Sequence, residues 1–98
     1  MKSTLYILTF NEITADARTK IVAYLNTRQD IVHDWYYCMM SSIFVVSSLP
    51  ATEFREFLRG LPLLKESRFF ITEIKKYPAN EGWLPQAAWD FINKHASY

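Results

Sequence analysis

The chain has 98 residues, enough to build one hydrophobic core and too few for two domains. Half of the residues are apolar and 16% are aromatic, which excludes a disordered chain. The 11 Lys plus Arg stand against 10 Asp plus Glu, and the formal charge of +1 lacks the basic excess that draws a protein onto nucleic acid.

Residues 3–10 (STLYILTF) form an apolar run with β-branched and aromatic side chains, the pattern of a first strand. Asn11-Glu12 interrupts it. A helix is expected from an N-cap at Thr14 to about Thr27, with Asp16 and Arg28 placed to suit its dipole. Its apolar face is Ala17, Ile21, Tyr24 and Leu25. Residues 31–40 (IVHDWYYCMM) are too aromatic and too poor in helix formers for anything but a second strand. Ser41-Ser42 is a tight connection, and residues 43–47 (IFVVS) close a hairpin as the third strand. Pro50 opens a second helix with Phe54, Phe57, Leu58 and Leu61 on its buried face and Gly60 and Pro62 as stop signals. Residues 68–75 (RFFITEIK) are a fourth strand and 77–82 a loop. Pro85 then begins a last helix through about His95, with Trp89 and Ile92 on one side. This order predicts an α+β fold, a ferredoxin-like βαββαβ sandwich over residues 3–76 with a C-terminal helical appendix over 77–98, in a single domain.

The strands alternate little between apolar and polar. The first offers Leu5 and Ile7 to one side and Tyr6, Leu8 and Phe10 to the other; the third offers Ile43 and Val45 against Phe44 and Val46. Two helices cover one face of a four-stranded sheet, and a solvated second face should be polar. Either the C-terminal segment covers that face, with Trp83 and Trp89 packed on the domain, or a second copy does. A homodimer is the expectation, with Phe10, Phe44 and Phe70 at the contact if they lie away from the helices.

Chemistry is sparse. His33 and His95 are the histidines, Cys38 is the single thiol, and no CxxC or HxxxH spacing occurs, so no metal is expected. With two glycines, Gly60 and Gly82, no phosphate-binding loop can be written, and no cofactor is expected. There is no GxSxG elbow around a serine. Trp35, Tyr36 and Tyr37, beside His33-Asp34, are candidate binding residues that could stack bases. Consecutive strand residues point to opposite faces, however, which favours core and interface roles for them. The lone cysteine fits a reducing compartment, no signal-like apolar segment follows Met1-Lys2-Ser3-Thr4, and no apolar run approaches the length of a membrane helix. A cytoplasmic protein without a membrane partner is expected.

The run Tyr6-Ile7-Leu8-Thr9-Phe10-Asn11, the aromatic strand around Trp35-Tyr36-Tyr37, and Ser41-Ser42-Ile43-Phe44-Val45-Val46 resemble the small SinR-type proteins. Those are related to the VapD toxins and the small CRISPR-associated ribonuclease-like subunits. The resemblance covers about three of the four strands. It implies a ferredoxin-like fold, a homodimer, a bacterial or phage setting, nucleic-acid association and, in some relatives, metal-dependent ribonuclease activity. The residue such relatives place at the end of the first strand is an Asp within a Tyr-Asp pair. The matching positions here are Phe10 and Asn11, and an amide cannot supply the anionic oxygen that Mg²⁺ prefers.

Three readings follow. The leading one is a non-enzymatic homodimeric interaction module, related to nucleic acid, a toxin–antitoxin pair or phage. The second is a divergent ribonuclease with Asn11, Glu12 and His33 near its site. The third is a small-ligand carrier holding its ligand at an apolar dimer interface.

Overall fold

The computed structural model describes residues 3–11, 16–65, 67–76 and 80–97. Four strands, β1 (Thr4–Phe10), β2 (Val32–Met39), β3 (Ser42–Ser47) and β4 (Phe69–Glu73), form one antiparallel sheet in the order β2-β3-β1-β4. Helices α1 (Ala17–Asn26) and α2 (Ala51–Arg59) lie between strands in sequence, and α3 (Gln86–His95) follows β4. The protein is thus a small α+β fold with a four-stranded antiparallel sheet and three helices, compatible with the ferredoxin-like class. Among the described residues no helix is long and apolar enough to cross a membrane.

The helices end where local chemistry dictates. Thr27 closes α1, its hydroxyl donating to the Tyr24 carbonyl at 2.6 Å. The face that α1 buries is Ala17, Ile21, Val22 and Leu25; Val22 takes the place expected for Tyr24, which is half-buried. The expected cap at Thr14 lies outside the described residues. Pro50 precedes α2, where a missing N–H costs nothing, with Glu53 in the first turn and Arg59 in the last, both favourable to the dipole. Phe54 and Leu58, one turn apart, are its buried anchors. After α2 the chain reverses through Leu63 in the left-handed region at φ 76°, a strain of about 1 kcal/mol for a non-glycine residue. The neighbouring Leu64, 1% exposed, anchors that turn in the core.

Two apolar layers result. On one face Tyr6, Leu8, Phe10, Ile43 and Val45 pack against Ile21, Leu25, Phe54 and Leu58 of α1 and α2. On the other, Leu5, Phe44 and Val46 pack under Ile92 and Ala96, with Ile7, Tyr36, Ile74, Trp89 and Phe91 around them. The chain's own C-terminal helix therefore covers the second apolar face of the sheet. It does so at one end only. The outermost row on that face, Met39–Ser42–Thr9–Phe70, runs across all four strands in register and lies beyond α3. It is a mixed row: the Thr9 and Ser42 hydroxyls are 3.2 Å apart, flanked by exposed Met39 and Phe70.

Three expectations are corrected here. Phe10 points to the α1/α2 side, because Tyr6, Leu8 and Phe10 share one parity along β1, and it is 4% exposed. Phe44 does face away from α1 and α2, yet α3 covers it. Neither offers surface to a second copy, whereas Phe70 is 65% exposed. Trp83, expected to pack on the domain, is 99% exposed; Trp89 does pack, half-buried, in the α3 layer.

Buried polar groups near the start of α2 are satisfied. Ser47 is fully buried; its hydroxyl donates to the Ile31 carbonyl at 2.9 Å and accepts the Leu49 N–H at 3.1 Å. The Tyr6 hydroxyl donates to the Leu49 carbonyl at 2.9 Å, while its ring stacks on Phe54 at 4.8 Å. Burial raises the Tyr6 pKa above its ordinary 10.0; a hydrogen bond with Thr4 opposes this and the Glu73 carboxylate adds to it.

Because the folded state holds the Tyr6 proton more tightly than the unfolded chain, its contribution is complete below pH 10.0 and is lost as pH rises through the folded value. Alkaline titration followed by circular dichroism should show stability falling above that point. A Tyr6→Phe variant should lose about 1 kcal/mol at neutral pH and decline less steeply in alkali. For α3, Ile92→Ala should cost about 2–4 kcal/mol. It should also speed reaction of the half-buried Cys38 with a thiol reagent, since Cys38 lies in the layer α3 covers.

Candidate functional site

Strand β2 carries most of the side chains singled out by the sequence, and the sheet divides them. Trp35 and Tyr37 pack toward the α1/α2 layer, and Tyr36 and Cys38 toward the α3 layer. The Trp35 and Tyr37 rings stack at 5.6 Å, the Arg18 guanidinium lies 3.8 Å over the Tyr37 ring, and the Trp35 indole donates to the Asn26 side-chain oxygen at 2.8 Å. Arg18 also donates to the Met39 carbonyl at 2.7 Å, joining α1 to the end of β2. On the opposite face Tyr36 stacks on Phe91 at 5.7 Å. The aromatic triplet is therefore two separate supports, and no single platform presents all three rings.

Asp34 reaches across to α3. Its Oδ2 lies 3.0 Å from His95 Nε2, and its Oδ1 accepts the Trp35 backbone N–H at 2.9 Å. The His95 ring in turn rests against Phe91 at 4.6 Å. This polar contact, which sequence reasoning missed because the two residues are 61 positions apart, fastens the last turn of α3 to β2.

The candidate catalytic residues are not brought together. In the ladder Val32 aligns through Ser47 with Thr4, and Met39 through Ser42 with Thr9. His33 therefore sits at the Thr4 end of the sheet and Asn11 beyond its Thr9 end, on the order of 20 Å away at the usual rise per residue. Asn11 is exposed and lines a shallow hollow of about 240 Å³ with Thr9, Phe10, Arg68, Phe69 and Phe70. Glu12 lies outside the described residues. Among the described residues, no three His, Cys, Asp or Glu side chains gather where they could hold a metal ion.

Two further hollows lie among the described residues. One, about 280 Å³ and polar, is formed by Asn26, Gln29, Val32, His33, Asp34 and Trp35. The other is an apolar groove of about 330 Å³ beside α3, with Ile7, Phe44, Ile74, Leu84 and Trp89 in its walls and Met39 and Trp83 at its rim. With Met40 and Phe70, Met39 and Trp83 make up the exposed large apolar side chains among the described residues. This groove and the open row next to it are the candidate site.

Lys20 pairs with Asp16, Arg28 with Asp30, and Arg55 and Arg59 with Glu56. The Arg28 hydrogen bond holds the Asp30 carboxyl below its ordinary pKa.

The Asp34–His95 fastening is testable. Asp34→Ala should lower stability by about 1 kcal/mol and increase Cys38 reactivity, while Asp34→Asn, which keeps a hydrogen-bonding oxygen, should change both less. Equal effects of the two variants would show that the contact does not hold α3.

Comparison with protein-family models, with curated proteins and with solved structures finds no match to this chain.

Proposed function

We propose that the chain is a ferredoxin-like, non-enzymatic interaction module that works as a homodimer. The ferredoxin-like assignment is supported by the order of elements through β4 and by the sheet order β2-β3-β1-β4 with every pairing antiparallel. One observation carries the functional reading: large apolar side chains stand exposed at both ends of the row that α3 leaves open and at the rim of the groove beside it. Met39, Met40, Phe70 and Trp83 are 38%, 57%, 65% and 99% exposed, and Met39 and Trp83 border a groove lined by apolar side chains. Large apolar side chains left exposed in this way favour a macromolecular contact.

The divergent-ribonuclease reading has less support. Asn11 and His33 occupy opposite ends of the sheet, and the residue that would anchor a divalent ion in the resembling proteins is an amide here.

Light scattering between about 5 and 200 µM should give a mass near twice 11.6 kDa at the upper end. Phe70→Ala and Trp83→Ala should each shift that transition to higher concentration, and a monomer throughout would overturn the dimer. In parallel, RNA incubated with the protein and Mg²⁺ or Mn²⁺ should remain intact. Cleavage that disappears in a Glu12→Gln variant would replace the module with a ribonuclease.

A further inference from the structure

The two edges of the sheet are unlike. Along β2 the register shifts between Val32 and Asp34 and again between Tyr36 and Met39, and Arg18 occupies the Met39 carbonyl. Such irregularities and side-chain plugs are how proteins blunt an edge against pairing. The β4 edge has neither. Its register with β1 is unbroken over five pairs, and from Phe69 to Glu73 it has no proline, no lysine and no bulge.

The free hydrogen-bonding groups of β4 follow from its ladder. Ile74 N–H donates to Leu5 and Asn11 N–H to the Arg68 carbonyl, so Arg68, Phe70, Thr72 and Ile74 direct their backbone groups toward β1. Phe69, Ile71 and Glu73 therefore direct theirs outward, where no described residue meets them.

From this edge we infer that β4 pairs antiparallel with β4 of a second copy of this chain, the two-fold axis passing at Ile71; the inference rests on the homodimer proposed above. A two-fold axis normal to the sheet keeps each side chain on its own face. Registers about Phe70 or Thr72 would use two of the three outward-facing residues on each strand. The register about Ile71 uses all three, pairing Ile71 with Ile71 of the second copy and Phe69 with Glu73 of the second copy, in six hydrogen bonds. It also sets the exposed Phe70 opposite Thr72 of the second copy and diagonal to the second copy's Phe70, within reach of an aromatic side chain. Lys75 lies past the paired segment, bridged to Ser97 of its own chain.

The test uses the full chain. Glu73→Pro removes an outward N–H and leaves the β1 ladder intact, because the Glu73 amide faces away from β1. It should raise the dimer dissociation constant roughly tenfold or more, and Glu73→Gln, which keeps the N–H, should raise it less. In a Cys38→Ser background, Phe70→Cys with Thr72→Cys should form a covalent dimer in a glutathione buffer. A directly opposed pair of this kind brings Cα atoms to about 4.5 Å, inside the disulfide range. A dimer that is unweakened by Glu73→Pro, or that resists this cross-link, would overturn the β4 pairing and leave self-association standing. A wild-type monomer across the concentration range would overturn both. Should Glu73→Pro fail to fold by circular dichroism, the cross-link decides.

Discussion

Residues 43–47 of β3 are buried on both faces of the sheet, and β1 beside them nearly so. A strand in that position contributes apolar surface in two directions, and neither direction can be left wet. Burial of one such side chain is worth about 1.5–3 kcal/mol, so leaving the whole second face exposed would forgo stabilisation comparable to a small domain's net stability. The pairing of β1 with β3 thus commits the chain to a layer on each side. Helices α1 and α2 supply one, and α3 supplies the other.

The second layer is thinner than the first. A single ten-residue helix is about 15 Å long, and it reaches only part of a face four strands wide. Its position is held by Ile92 and Ala96 against Leu5, Phe44 and Val46, and by the contact between His95 and Asp34. What it leaves open is the end of the sheet where Met39, Ser42, Thr9 and Phe70 align, and the apolar groove at its side. The open surface is therefore a remainder, defined by where the chain's own covering stops. The β4 edge adjoins this remainder through the exposed Phe70.

Residues that look chemical in the sequence have structural work here. Trp35 and Tyr37 form a stack with Arg18, Tyr36 supports Phe91, and Asp34 positions His95. Each side chain is engaged with the domain itself, leaving β2 with bulges and a plugged carbonyl at its edge. Aromatic and charged residues gathered in sequence, as in His33-Asp34-Trp35-Tyr36-Tyr37, invite a reading as one site, but the two-residue period of a strand separates them.

Much of the fold was legible in advance because it is written in local patterns. Four β-rich runs, two helices with apolar faces and a terminal helix after Pro85 follow from side-chain periodicity and from proline and glycine chemistry, and they appear within a residue or two of their expected bounds. The excess of apolar residues on both faces of the strands likewise required a second covering layer. The sequence could not say which covering it would be, since α3 and a second copy present the same chemistry to Phe44 and differ only in where the chain runs after β4. Nor could it show that Phe10 belongs with α1 and α2, that Trp83 stands free while Trp89 packs, that Asn11 and His33 fall at opposite ends of the sheet, or that Asp34 meets His95. Those outcomes depend on strand order, register and the docking of one helix. They are contacts between residues far apart in sequence, to which local propensity and spacing carry no information.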